Sequence, residues 1–168
     1  MNGAIQVVEA GLAELPCIQQ LAETTWKACY PGVISDGQIR YMLDRGYRLE
    51  VLQKELEEED VRFVLAREED EPAGFGAHGP TAADREAKLH KLYVHPRHQR
   101  KGIGARIVEH ITQQLSNEGF RTLVLAVNKR NTQAIEAYRK YGFVHRESVV
   151  VDIGSGYVMD DYILELAL

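Results

Sequence analysis

The stretch from Lys88 to Ile111 constrains the fold most, because its pattern of apolar residues changes period midway. Residues 89–94 (LHKLYV) are mostly apolar, which is typical of a strand buried between two layers. Pro96 ends that strand, since proline donates no ladder hydrogen bond. Beyond Gly104 the apolar residues recur at helical spacing. The stretch therefore predicts a buried strand followed closely by an amphipathic helix.

The join between this strand and helix has the properties of an anion site. It reads Gln99-Arg100-Lys101-Gly102-Ile103-Gly104. The first turn of a helix has N–H groups without intrahelical partners, and the helix dipole adds partial positive charge. Glycine lets the backbone approach a ligand closely, and Arg100 and Lys101 add formal charge. The join favours a phosphate or pyrophosphate; a tight turn with solvated basic residues is the alternative.

Two familiar phosphate-binding motifs are excluded at this join. No Gly-Lys-Ser/Thr follows, so it is not a P-loop, and the three-glycine dinucleotide pattern is missing.

Two motifs, one at the join and one downstream of it, resemble motifs of the GNAT superfamily of N-acetyltransferases. Gln99-x-x-Gly102-x-Gly104 is similar to the family's acetyl-coenzyme A motif. A second match lies downstream and reads Asn131-x-x-Ala134-x-x-x-Tyr138-x-Lys140-x-Gly142-Phe143. The resemblance covers nearly the whole chain. It is closest to bacterial polyamine (spermidine/spermine) acetyltransferases, through Thr25-Trp26 and Asp160-Asp161-Tyr162.

Length and composition predict a single soluble domain, residues 1–168. No apolar run approaches the ~20 residues of a membrane helix, and the first residues lack the layout of a signal peptide. We therefore expect a cytoplasmic protein. Cys17 and Cys29 are expected to be free thiols, and no metal site is expected, because no Cys/His cluster has zinc spacing. The net charge of −5 argues against a nucleic-acid surface.

The order of predicted elements indicates an α/β protein with one mixed sheet and helices on both faces. Three helices between residues 12 and 59 follow a first strand at 5–9, with Ser35-x-x-Gln38 predicting a capping box for the second. The third helix carries Glu55 on a side expected to be solvated. The remaining elements are strands at 61–66, 73–78, 89–94 and 122–127, helices at 104–119 and 132–141, and strands at 143–151 and 160–166. The resemblance implies the same fold, a mostly antiparallel mixed sheet.

The resemblance implies acetyl transfer from acetyl-coenzyme A to a primary amine, with a small polyamine-like acceptor that attacks directly in a ternary complex. The strand Leu92-Tyr93-Val94 is then expected to pair through its backbone with the pantetheine arm. Asn131 supports the cofactor. The pyrophosphate is expected on the backbone of Gln99, Arg100, Lys101, Gly102, Ile103, Gly104 and Ala105.

Tyr138 is the residue expected to assist the departing thiolate. A free thiol has a pKa of about 8.5 and tyrosine about 10, so full proton transfer from an unperturbed phenol is uphill by roughly 2 kcal/mol. A hydrogen bond that strengthens as charge builds on sulfur avoids that cost. The resemblance implies that Tyr138 is the general acid; a half-buried packing tyrosine is the alternative.

His90 is the candidate base for the amine. It lies two residues before Leu92, so regular alternation puts both on one strand face, and histidine titrates in the useful range. Related enzymes often carry a carboxylate near this position, so His90 is a departure. A histidine satisfied at the sheet surface, or loss of the ammonium proton to water, are the alternatives.

Trp26, Tyr30 and Asp161 are the candidate acceptor residues. Aromatic faces can hold a cationic amine, although Trp26 and Tyr30 could equally pack in the core. Alternation along the last strand lets only one of Asp160 and Asp161 face a given pocket. An exposed turn carboxylate is the alternative for Asp161.

Three other functions stay open at this stage. The first is acetylation of a protein N-terminus or lysine, the second a non-catalytic acetyl-coenzyme A-binding regulatory module, and the third a generic nucleotide-phosphate binder. A homodimer is a candidate assembly.

Overall fold

The computed structural model describes residues 3–168, which form seven strands and five α-helices. The predicted element order and α/β class are confirmed. Short 3-10 helices lie at Leu12–Glu14 and Pro96–His98. The elements are β1 (Ile5–Ala10), α1 (Leu15–Cys29), α2 (Asp36–Gly46), α3 (Leu49–Glu58), β2 (Arg62–Glu68), β3 (Glu71–Pro80), β4 (Glu86–Val94), α4 (Ile103–Asn117), β5 (Thr122–Asn128), α5 (Thr132–Lys140), β6 (Val144–Gly154) and β7 (Tyr157–Ala167).

The seven strands form one sheet in the order β1-β2-β3-β4-β5-β7-β6. Neighbouring strands are antiparallel except β4 and β5, which are parallel. These two strands pair only where residues 86–88 face residues 122–124. Beyond that point they diverge, so the facing edges of residues 89–94 and 125–128 have no ladder partner across the gap.

Each face of the sheet carries its own apolar core. Helices α1, α2 and α3 cover one face, which we call the α1 face, with Trp26, Leu52 and Phe75 in its core. Helices α4 and α5 cover the other, the α4 face. There α4 lies close to the sheet because β3 presents a glycine to it: a Cβ on Gly76 would lie 2.9 Å from Ile107 Cγ2.

The last hairpin is longer than predicted. Strand β6 runs to Gly154 and β7 begins at Tyr157, three residues before the predicted start. Ser155 and Gly156 both have positive φ, 54° and 79°. Positive φ at both central residues is what a type I′ two-residue turn requires. The predicted five-residue turn is therefore wrong, because two residues suffice to reverse the chain.

The predicted capping box of α2 is half present. Ser35 Oγ accepts a hydrogen bond from the N–H of Gln38 at 3.1 Å. The side chain of Gln38 instead donates to the carbonyl of Val158 at 2.9 Å. Gln38 therefore ties α2 to β7 rather than closing the box.

Candidate functional site

A cavity of about 620 Å³ occupies the gap between β4 and β5. Its lining includes Tyr138, which packs on the core of the α4 face, and Trp26, which belongs to the core of the α1 face. The cavity therefore reaches both faces of the sheet through the point where the parallel strands separate.

One wall of the cavity is the unpaired edge of β4. Leu92, Tyr93 and Val94 all line it. Leu92 and Val94 pack on the core of the α4 face, whereas Tyr93 packs on the α1 face. Since no strand lies across the gap, an extended ligand rich in amides can pair with this edge as an added strand does.

Residues 99–105, which we call the anion loop, adjoin that edge at the start of α4. Arg100 and Gly102 have positive φ, 64° and 79°, and Gly102 caps the helix in the left-handed conformation. The N–H of Arg106 donates to the carbonyl of Gly102. The N–H groups of residues 103–105 precede that bond and are left for an anion.

Position 104 leaves no room for a side chain beside Tyr141, which lines the same cavity. A Cβ on Gly104 would lie 2.7 Å from Tyr141 Oη. Five residues of the loop line the cavity, namely Gln99, Arg100, Gly102, Ile103 and Gly104. Lys101 and Ala105 do not line it. The Lys101 ammonium, which was expected to add charge to the anion site, instead contacts Glu68 on β2, with its Nζ 3.0 Å from Glu68 Oε2.

Helix α5 borders the same cavity. Asn131 is its N-cap, and Asn131 Oδ1 accepts from the N–H of Ala134 at 3.2 Å. The cap uses only the oxygen of this side-chain amide, and its nitrogen is a second polar group at the start of the helix. Asn131, Ala134 and Tyr138 all line the cavity, although Asn131 precedes the helix rather than lying within it.

Tyr138 is held by aromatic neighbours. Its ring centroid lies 5.7 Å from that of Phe143 and 6.2 Å from that of Tyr141. Burial, reinforced by Tyr30 and Tyr141, raises the pKa of Tyr138 above the ordinary value of tyrosine. The phenol is therefore protonated at neutral pH and available as a hydrogen-bond donor.

His90 lies at an irregularity in β4. Leu89 pairs with His78 and Lys91 with Ala77, which leaves His90 as an extra residue, the arrangement of a β-bulge. Leu89 and Leu92 consequently pack on the same core. The prediction that His90 shares the face of Leu92 is wrong, because the bulge shifts the alternation by one residue.

His90 lines the cavity and is exposed to solvent on another side, and its lowered pKa makes it a weak base. Desolvation, followed by the charges of Lys88 and Lys91, lowers the pKa of His90 to about 4. The imidazole is therefore neutral over the range in which most enzymes work.

The α1 side of the cavity is aromatic. Trp26 and Tyr30 stack with centroids 4.2 Å apart, and Tyr30 Oη lies 3.3 Å from Tyr93 Oη. Tyr47, which the sequence analysis missed, packs edge-on against Trp26. Trp26 is 3% exposed, so it packs in the core and still borders the cavity. The signal for Tyr47 was an aromatic residue just after the Gly46 break.

Asp161 is the aspartate of β7 that lines the cavity. It is 6% exposed, and its Oδ1 has no hydrogen-bond partner among residues 3–168. Asp160, by contrast, is exposed and lies 2.6 Å from the ammonium of Lys129. Burial first, then Asp160, raises the pKa of Asp161. A buried carboxylate without a partner is stabilised by a cationic ligand.

Glu55 is a second carboxylate in the cavity wall, which contradicts its predicted solvated position. Both of its oxygens accept from Lys91 Nζ, at 2.8 and 2.7 Å. Desolvation lowers the pKa of Lys91 against the opposing pull of Glu55. The available signal was Lys91 itself, a lysine inside a buried strand, because such a charge requires a partner.

The described residues hold no group of three or more His, Cys, Asp or Glu side chains placed to bind a metal. Cys17 and Cys29 are free, as predicted. None of the helices in residues 3–168 has both the length and the apolar character to span a bilayer.

Comparison with solved structures identifies the fold. A PaiA N-acetyltransferase from Thermoplasma acidophilum, crystallised with coenzyme A, superposes with a TM-score of 0.82 at 23% identity, over 98% of this chain and 99% of that one. The ribosomal-protein-S18-alanine N-acetyltransferase of Escherichia coli superposes with a TM-score of 0.73 at 19% identity, over 98% and 94% of the two chains.

Sequence relatives carry acetyltransferase activities on different acceptors. A spermidine N(1)-acetyltransferase of Thermoplasma acidophilum is 24% identical over 94% of this chain and 96% of its own. The peptidyl-lysine N-acetyltransferase YjaB of Salmonella typhimurium is 33% identical over 68% and 74%. The ribosomal protein bS18-alanine N-acetyltransferase of Escherichia coli is 40% identical over 34% of this chain, and that match spans 39% of the relative's length.

The profile of the acetyltransferase (GNAT) family matches residues 20–143, which include the anion loop, the open edge of β4 and Tyr138. This confirms the predicted resemblance: the chain belongs to the acetyltransferase (GNAT) family.

Proposed function

We propose that the protein transfers the acetyl group of acetyl-coenzyme A to a primary amine, which attacks directly in a ternary complex. The observation that carries the proposal is a single cavity that joins the anion loop, the unpaired edge of β4 and the Tyr138 phenol. Family membership supports the same reaction class.

The residues of the α4 face fit coenzyme A. The N–H groups of residues 103–105 and the Arg100 guanidinium would hold the diphosphate. The backbone of residues 92–94 would pair with the amides of pantetheine, and the Asn131 amide could donate to the same arm. When bound, acetyl-coenzyme A supplies an acyl group activated as a thioester.

Tyr138 would donate a hydrogen bond to the sulfur as negative charge develops there. Its raised pKa makes full proton transfer to a thiolate less favourable than from an ordinary tyrosine. Donation of a hydrogen bond needs no ionisation of the phenol. The N–H groups on the unpaired edge of β4 would stabilise charge on the carbonyl oxygen.

The proton of the attacking amine would pass to water. General-base catalysis works best when the pKa of the base lies near the operating pH, and the pKa of His90 is about 4. Of the alternatives considered for His90, this favours loss of the ammonium proton to water.

For the acceptor we propose a small polyamine-like amine. The unpartnered carboxylate of Asp161 and the stacked rings of Trp26 and Tyr30 support this, because both attract cations. The Thermoplasma relative that acetylates spermidine adds support. The rival acceptor is a protein amine, and the relatives that acetylate an N-terminal alanine or peptidyl-lysine support it.

Thiol release from acetyl-coenzyme A tests the function directly. The acceptors to compare are spermidine, spermine, small diamines, amino acids and short peptides. We expect turnover with the polyamines. Turnover with peptides alone would contradict the polyamine acceptor, and coenzyme A binding without turnover on any acceptor would favour a regulatory module. Equal competition by ATP and coenzyme A would indicate a generic phosphate binder.

Tyr138→Phe should lower kcat about 100-fold, the typical effect of losing one donor to developing charge. The dissociation constant for coenzyme A should stay within about threefold, because the ring and its packing are kept. Tyr162→Phe is the matched control: Tyr162 lies on β7 outside the cavity. Unchanged kcat in Tyr138→Phe would remove the proposed role.

Asp161→Asn should raise the KM for spermidine about tenfold, since one charge-assisted contact to a cation is lost. The KM for acetyl-coenzyme A should not change. Asp160→Asn, one residue away and paired with Lys129 outside the cavity, is the control and should behave as wild type. Equal effects of the two substitutions would show that Asp161 does not contact the acceptor.

His90→Gln should keep kcat/KM for the amine within about threefold, because a base whose pKa is about 4 contributes little near pH 7. A lowered histidine pKa means that the neutral form prevails above pH 4. The pH profile should therefore rise with deprotonation of the amine alone, with the same slope in both proteins. A loss of 100-fold or more would restore His90 as the base.

A further inference from the structure

Behind the anion loop lies a buried carboxylate that the proposed chemistry does not use. Glu68, at the end of β2, is 6% exposed. It accepts hydrogen bonds from His98 Nδ1 at 2.6 Å, from Lys101 Nζ at 3.0 Å and from the N–H of Gly3 at 3.1 Å. One carboxylate thus joins the start of the chain, the 3-10 helix Pro96–His98 and the anion loop.

The anion loop needs such an attachment because its backbone is unusual. Arg100 is a non-glycine residue with φ of 64°, and Gly102 follows with φ of 79°. A left-handed non-glycine residue is unfavourable unless its surroundings hold it. On the cavity side the loop is held by Gln99, whose Nε2 donates to the carbonyl of Val94 at 3.1 Å. On the opposite side the loop is held by Lys101, whose ammonium donates a hydrogen bond to Glu68.

The hydrogen bonds that Glu68 accepts are charge-assisted, and the Glu68 side chain is 6% exposed. Hydrogen bonds from His98 and then from Lys101 lower the pKa of Glu68 to about 2. The carboxylate is therefore ionised at every pH at which the protein would work. Charge-assisted bonds are the stronger kind.

We propose that Glu68 is a positioning residue: through Lys101 and His98 it holds the anion loop in the conformation that grips the diphosphate of coenzyme A. This rests on the proposed function. Lys101 then acts on the diphosphate through the loop backbone and not by contact, since its ammonium is engaged on the far side. The charge that reaches the diphosphate comes from Arg100 and from the N–H groups of the helix.

Glu68→Gln, a substitution of nearly equal shape, tests this. We expect the dissociation constant for coenzyme A and the KM for acetyl-coenzyme A to rise about tenfold, the effect of losing one charge-assisted bond that orders the loop. The KM for S-acetylpantetheine, which has no diphosphate, should not change. The kcat at saturating acetyl-coenzyme A should stay within about twofold, because Tyr138 is untouched.

Lys101→Met separates positioning from direct contact. If Glu68 positions the loop, this variant weakens coenzyme A binding as Glu68→Gln does, and the double variant is no worse than either alone. If Lys101 instead binds the diphosphate when free, Glu68→Gln releases it and tightens binding. Tighter binding, or additive losses in the double variant, would overturn the proposal.

Asp70→Asn is the matched control, an acid-to-amide change two residues along in an exposed turn, and it should bind coenzyme A as wild type does. If Glu68→Gln fails to fold, Lys101→Met can be used instead to compare acetyl-coenzyme A with S-acetylpantetheine. The Lys101 side chain is 31% exposed, so its replacement should be tolerated. A parallel rise in the KM for S-acetylpantetheine would overturn the proposal. Wild-type protein that does not bind coenzyme A would instead overturn the proposed function.

Discussion

The brief pairing of β4 with β5 is the constraint on which the rest of the structure depends. The two parallel strands share a ladder over residues 86–88 and 122–124 and then separate. Their separation leaves backbone groups facing one another across a gap too wide for hydrogen bonds. A cavity fills that gap, and a ligand with peptide-like amides can satisfy the edge of β4.

The gap also explains why the two halves of the site have different chemistry. On the α4 face the cavity meets a helix N-terminus, free N–H groups and Arg100, which suit an anion. On the α1 face it meets stacked aromatic rings and the unpartnered carboxylate of Asp161, which suit a cation. A donor held by its diphosphate and an acceptor held by its charge would therefore enter from opposite faces and meet between the strands.

Three buried or half-buried carboxylates differ in their hydrogen-bond partners, and this difference determines whether each is available to bind a ligand. Glu68 has three donors and is a structural anchor behind the anion loop. Glu55 is paired with Lys91 in the cavity wall and has no oxygen left over for a ligand. Asp161 has one oxygen, Oδ1, without a hydrogen-bond partner. Of the three carboxylates, Asp161 is therefore the one that suits a cationic ligand.

The sequence by itself determined the element order, the α/β class and the position of the glycine-containing loop before α4. These follow from local patterns, namely the hydrophobic period and the placement of glycines. It could not determine the side to which Lys101 points, the face of His90 or the pairing of Glu55. Those depend on residues far away in the chain, Glu68 and Lys91, and on a bulge whose register is set between strands. Only the tertiary structure decided them, since a side chain's direction and charge depend on the neighbours that folding brings to it.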